Sequence, residues 1–175
     1  VPFATYDGVC GFLQGLGPTG VGCGYFSDET VSLGAVARCL HDLNRPDRAF
    51  RSIHVTGTNG KTTVCRMIAG LLQAAGATVG LYTSPHVAHF RERVVVNGEP
   101  VTEQDLVDAC NGVKAFLDWE GVSLTPFEFL TTAAFFAFRA AKVDYAVIEV
   151  GIGGRQDATN VLAPELAVVT NIARD

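Results

Sequence analysis

The sequence predicts an α/β protein: a doubly wound, mainly parallel sheet with helices on both faces and one β-hairpin excursion. Three observations carry this. From residue 50 onward, short β-branched runs alternate with stretches of helical periodicity. Two runs, "VDYAVIEVG" and "ELAVVTNI", are continuously apolar at strand length, as strands covered on both faces must be. Asn97-Gly98 sits between two extended arms, the strongest short hairpin signal.

Residues 1–50 are glycine-rich around "GLGPTGVGCGYFSDET", and the amphipathic stretch Val31 to Leu43 predicts a helix. "RSIHVTG" is a strand, and "KTTVCRMIAGLLQAAG" a helix closed by Gly76. "TVGLYTS" is the second strand, and "RERVVVNGEPVT" the hairpin, with Arg91 and Arg93 expected on its solvated face. Thr102 and Asp105 form a capping box ahead of a helix with apolar Leu106, Val107, Cys110, Val113 and Leu117. A second box follows at Thr125-Pro126-Phe127-Glu128, with proline at the first helical position.

Composition narrows the function classes. A 175-residue chain with 48% hydrophobic and 18% charged residues is long enough for one domain with a core. A net charge of −5 supplies no basic field for a nucleic-acid partner. No run offers the roughly 20 unbroken apolar residues of a membrane span. No secretory signal pattern opens the chain, which starts at valine, and this reads as a processed or trimmed, cytoplasmic protein. The five cysteines (Cys10, Cys23, Cys39, Cys65, Cys110) never form a CxxC pair, so a reduced compartment fits better than a zinc site or disulfide framework.

Ligands of such sheets bind beyond the carboxyl ends of the strands, and the distinctive polar residues cluster there. They are Gly57 to Thr63 after the first strand, Thr83 to His86 after the second, Glu149 ending the third and Asn171 ending the fourth. "HVTGTNGKTTV" resembles a phosphate-binding loop of the P-loop type, although Val55 occupies the position of the first glycine in GxxxxGK[ST]. Gly57 and Gly60 would let backbone N–H groups of the Gly57-Thr58-Asn59-Gly60 turn approach phosphate, with a helix N-terminus behind them. Lys61 would add a mobile cation, and Thr62 a hydroxyl for Mg²⁺. A plain β-to-α turn with N-terminal threonines is the alternative. Glu149, buried among apolar neighbours, needs a cation or a partner; it could pair with Arg155 or cap the glycine turn, and the neighbouring phosphate loop favours Mg²⁺. Ser84 could cap a turn before Pro85, Glu128 could serve its capping box, and His86 and His89 read as surface or packing residues.

Six segments in order, "HVTGTNGKTT", "GLYTSPHV", "RERVVVNG", "LTPFEFLTTAAFFAF", "DYAVIEVGIGGRQDATNV" and "LAVVTNIARD", resemble the folylpolyglutamate synthase and bifunctional dihydrofolate synthase family, within the Mur ligase superfamily. The resemblance runs from about residue 50 to the end, and more loosely back to residue 6. It implies an ATP-dependent ligase that phosphorylates the carboxylate of dihydropteroate or a folate, then joins it to L-glutamate. By motif position, Gly57, Thr58, Asn59, Gly60, Lys61, Thr62 and Thr63 would bind ATP, and Ser84, Glu149 and Thr62 would hold Mg²⁺. Lys61 and Glu149 would be the catalytic pair, while Thr125, Pro126, Phe127, Glu128, Gln156, Asp157 and Ala158 would line the pterin pocket. The family's loop reads TGTNGK, which accounts for Val55. The resemblance further implies small-molecule substrates and a monomer, with no nucleic-acid or membrane partner.

Three departures qualify the resemblance. Thr62 stands where many folate ligases carry glycine, as in Mur ligases, which leaves open whether Thr62 or Thr63 offers the hydroxyl. The segment "DETVSLGAV" diverges, so Glu29 to Ser32 carry over only weakly. The chain stops at Asp175, before a metal-ligating histidine, a carbamylated lysine and the C-terminal domain that the family implies. Residues 1–175 therefore read as an incomplete N-terminal ATP-binding domain, inactive alone. The alternatives are a Mur-type ligase joining an amino acid to a UDP-muropeptide, and a nucleotide-binding module without catalysis.

Overall fold

The computed structural model describes residues 1–16 and 33–173. Six strands, β1 (Arg51–Thr56), β2 (Val79–Tyr82), β3 (Val94–Val96), β4 (Glu99–Pro100), β5 (Tyr145–Glu149) and β6 (Leu166–Val169), form one sheet in the order β4-β3-β2-β5-β1-β6. β2, β5, β1 and β6 run parallel, whereas β3 and β4 are antiparallel additions at one edge. The turn between β3 and β4 is Asn97-Gly98, both in the left-handed region at φ 50° and 87°. Such a pair matches the twist of flanking strands.

Among the described residues five α-helices cover the sheet: α1 (Tyr6–Gly15), α2 (Leu33–Asp42), α3 (Lys61–Ala74), α4 (Glu103–Glu120) and α5 (Pro126–Ala140). Alternation along β1 sorts its side chains between two cores. Ile53 and Val55 meet Cys65 and Ala69 of α3, with Leu81 and Val147, on one face. On the other face Ile148 and Tyr82 join the larger core built with α4, α5, α1 and α2, where Phe129, Phe135 and Phe138 are fully buried. Truncating one such phenylalanine to alanine costs about 3–5 kcal/mol.

Local signals set the helix ends. Thr102 accepts from Asp105 N–H and Thr125 from Glu128 N–H, each in a reciprocal capping box. Gly76, at φ 91°, follows α3 and returns its N–H to the Gln73 carbonyl at 2.9 Å. Helix α2 matches the amphipathic stretch from residue 33 on; Val31, Cys23 and the segment Glu29 to Ser32 lie outside the described residues.

One strand departs from expectation. The apolar run of β6 implies cover on both faces, yet Leu166 and Val169 are 52% and 56% exposed. β6 is the edge strand: β1 pairs with one flank, no described strand pairs with the other, and Val168 packs against the core on the α3 side. Among the described residues no helix is long and apolar enough to cross a membrane.

Candidate active site at the carboxyl edge of the sheet

β1 ends in a tight loop. Gly57 adopts φ 138°, and a Cβ there would lie 2.1 Å from Thr170 Oγ1 and 2.9 Å from the Asn171 carbonyl. Only glycine fits so close to the end of β6. The contact is then bonded: Thr58 N–H donates to the Asn171 carbonyl at 3.0 Å and Asn59 N–H to Asn171 Oδ1 at 2.9 Å. Thr170 Oγ1 donates to the Asn59 carbonyl at 2.7 Å. Gly60, left-handed at φ 79°, is the N-cap of α3 and brings no side chain to the cap. The first N–H groups of α3 are therefore left for an anion, where the helix dipole is positive.

Lys61 opens α3. Its Nζ folds back to donate to the Gly57 carbonyl at 2.7 Å and the Thr58 carbonyl at 3.3 Å. Thr62 turns its hydroxyl inward, 2.9 Å from Glu149 Oε1 and 3.0 Å from Oε2, whereas Thr63 is exposed. Of the two hydroxyls, that of Thr62 faces the carboxylate.

Glu149, at the end of β5, is 2% exposed. Its partners are Thr62 and the Ser84 N–H, which donates to Oε2 at 3.2 Å. Arg155 is not among the residues bonded to it; the loop hydroxyl and the β2 end fill that role. Burial pushes the carboxyl's pKa up, opposed by the Thr62 and Ser84 hydrogen bonds and by the charges of Lys61 and Arg66. A buried carboxylate that resists ionisation, held only by neutral donors, is a group that a cation would relieve. The donor set also suits Mg²⁺, a hard ion that keeps several waters and takes one or two carboxylates plus phosphate oxygens. No group of three or more His, Cys, Asp or Glu residues that could hold a metal ion gathers among the described residues.

A second constellation adjoins the first. The turn after β5 brings Gly151 so close to α5 that a Cβ there would meet Phe127 Cζ at 2.7 Å and Asp157 Oδ2 at 2.9 Å. Phe127 and Asp157, 30 positions apart, thus meet across one glycine. Asp157 is buried, accepting from Ile152 N–H at 3.0 Å and from Thr159 N–H at 2.9 Å. Glu128 is buried in its capping box, accepting from Thr125 N–H at 2.7 Å, and Ala158 lies in the core. Gln156 and Thr125 are exposed, and Pro126 is half-buried beside Phe127.

Arg93 corrects the sequence expectation. It is buried, not on a solvated hairpin face, and its Nε donates to His86 Nδ1 at 2.9 Å. That bond requires an unprotonated His86 nitrogen, and burial together with the Arg93 charge lowers the pKa of His86. Residues 90–93 form a 3-10 turn ahead of β3, so strand alternation does not apply to Arg93. A surface concavity of about 600 Å³ lies elsewhere, at the amino ends of β1 and β5 between Arg48, Phe50, Arg139 and Asp144.

The family model of the Mur ligase middle domain matches residues 55–175. The chain belongs to the Mur ligase family. Among curated relatives, this Mur ligase chain is 46% identical over 141 residues to the folylpolyglutamate synthase of Lacticaseibacillus casei, covering 78% of the chain and 33% of that protein. It is 39% identical over 148 residues to the dihydrofolate synthase/folylpolyglutamate synthase of Bacillus subtilis, covering 82% and 34%. Its fold superposes on an FPGS–AMPPCP–folate complex with a TM-score of 0.86 at 38% identity, covering 98% of the chain and 41% of that structure. The Mur ligase chain thus spans about a third of the length of the curated relatives it matches.

Proposed function

We propose that this chain is the ATP-binding part of a ligase that adds L-glutamate to dihydropteroate, to a folate, or to both. The observation that carries the reading is the meeting of the loop Gly57–Thr63 with Glu149 and Ser84 at one sheet edge, beside the turn that joins Phe127 to Asp157. Two relatives' names, a folylpolyglutamate synthase and a dihydrofolate synthase/folylpolyglutamate synthase, and a complex with AMPPCP and folate support it.

In this reading the loop N–H groups and the amino end of α3 receive the ATP phosphates. Lys61 leaves the Gly57 and Thr58 carbonyls to follow the γ-phosphoryl group as it passes to the acceptor carboxylate, giving an acyl phosphate and ADP. The glutamate amine then attacks the acyl carbon; an amide forms, and phosphate and a proton leave. Thr62, Ser84 and Glu149 would hold Mg²⁺, which supplies charge neutralisation for the transferring group. Phe127, with Thr125, Pro126, Glu128, Gln156 and Ala158 around it, would present an apolar, flat surface to the pterin, and Asp157 would fix the adjoining turn. A monomeric, cytoplasmic enzyme of small molecules goes with these substrates.

Thr62, bonded to Glu149, favours a second reading, a Mur-type ligase of UDP-muropeptides. Phosphate release by the ligase-length protein separates them. We expect release with ATP, Mg²⁺, glutamate and dihydropteroate or tetrahydrofolate, and none with a UDP-muropeptide; the reverse pattern rejects the folate reading. Lys61→Ala and Glu149→Ala should each lower kcat by about 10²-fold or more without unfolding the protein. Near wild-type turnover in either would remove our assignment of phosphate and metal contacts.

A further inference from the structure

We infer that His54 is a positioning residue: acting through Thr159, it holds the Asp157 carboxylate, and with it the Gly151–Asp157 turn, in register with the phosphate loop. The inference rests on the reading above that this turn faces the acceptor substrate.

His54 stands on β1 one residue before Val55, and its ring is buried on the opposite face of the sheet. Its Nε2 lies 2.7 Å from Thr159 Oγ1. Thr159, fully buried, donates its hydroxyl to Asp157 Oδ1. A hydroxyl has one proton, and an ionised carboxylate only accepts. The Thr159 proton therefore goes to Asp157, and the Thr159 lone pair accepts from His54. This fixes the imidazole in its Nε2–H tautomer. Burial lowers the His54 pKa, consistent with a neutral ring.

The donors to Asp157 are all neutral: Thr159 N–H, Thr159 O–H and Ile152 N–H. Among the described residues no lysine or arginine pairs with it. A buried carboxylate held only by neutral groups depends on each donor's orientation, and His54 orients the one with a free rotor. β1 grips the same turn again two residues on, where Thr56 Oγ1 donates to the Gly153 carbonyl at 3.1 Å. Directly after Thr56 the chain enters the phosphate loop. One strand thus holds the turn beside Phe127 and carries the phosphate loop at its end. A histidine that merely filled core space would need neither the directed chain nor the second anchor.

The test is steady-state kinetics of the ligase-length protein with His54→Phe, His54→Gln and Thr159→Val. We expect His54→Phe and Thr159→Val to raise KM for the pterin acceptor about tenfold, with KM for ATP and kcat within about twofold. His54→Gln, which keeps an N–H donor, should recover most of the loss. Equal rises in both KM values, or no rescue by glutamine, would overturn the inference. Imidazole nitrogen shifts give a readout independent of turnover: a neutral Nε2–H ring in the wild type that loses its slow-exchanging proton in Thr159→Val supports it, and an Nδ1–H ring contradicts it. If the wild type turns over no pterin substrate, the proposed function fails, and these shifts alone decide whether His54 holds Asp157. They also decide if His54→Phe does not fold.

Discussion

Glu149 combines a stability cost with the metal-holding role proposed for it. Because burial raises its pKa, the folded protein binds that proton more tightly than the unfolded chain does. The carboxylate thus weakens the ligand-free fold as pH rises above its ordinary value of 4.5. Glu149→Gln should raise Tm at pH 7 without ligands while abolishing turnover, as expected of a destabilised site kept for function. A lowered Tm would mean that the Thr62 and Ser84 bonds outweigh the burial. Glu92 is the opposite case. It accepts N–H groups from Val87, Ala88 and His89, which pull its pKa from 4.5 to about 2. Its contribution is complete above pH 4.5 and is lost as pH falls toward 2. Acid titration of Glu92→Gln should show a shallower loss of stability across that window than the wild type; parallel curves would contradict the assignment. The placement of Lys61, Thr62 and Glu149 at one sheet edge was legible because residue type and strand position constrain it. The pairing of His54 with Thr159 spans 105 positions and carries no local signature, so it needed the folded chain.

Elements were legible wherever backbone chemistry is local. Both capping boxes, the Asn97-Gly98 turn and the Gly76 stop depend on residues within a few positions of one another. Arg93 was misread because a 3-10 turn replaced the extended arm, and nothing in "FRER" forbids either. The exposure of β6 was illegible for a different reason: an apolar run reports strand propensity but not which neighbours enclose it. The loop itself depends on β6 through Gly57. Gly57→Ala would force a Cβ against Thr170 Oγ1 and hold alanine at φ 138°. We expect a loss of about 1–3 kcal/mol from the backbone alone, read by chemical denaturation, together with weakened ATP binding. Unchanged stability would show that the loop can leave β6 freely.

At the scale of the whole molecule, the parallel order β2-β5-β1-β6 aligns four strand ends, and loops far apart in sequence converge on them. The alternating pattern predicted that edge and its polar residues. It did not predict that Asn171 and Thr170 would brace the loop, or that Gly151 would bring Phe127 against Asp157. In the proposed reading the first pair of contacts belongs to a phosphate side of the site and the second to an aromatic side. Titration calorimetry of ATP, with and without Mg²⁺, on wild type, Lys61→Ala and Glu149→Gln tests that arrangement most directly. The account predicts that Lys61→Ala weakens ATP binding in both conditions, and that Mg²⁺ tightens binding to the wild type but not to Glu149→Gln. Wild-type affinity in Lys61→Ala, with full Mg²⁺ dependence in Glu149→Gln, would contradict it.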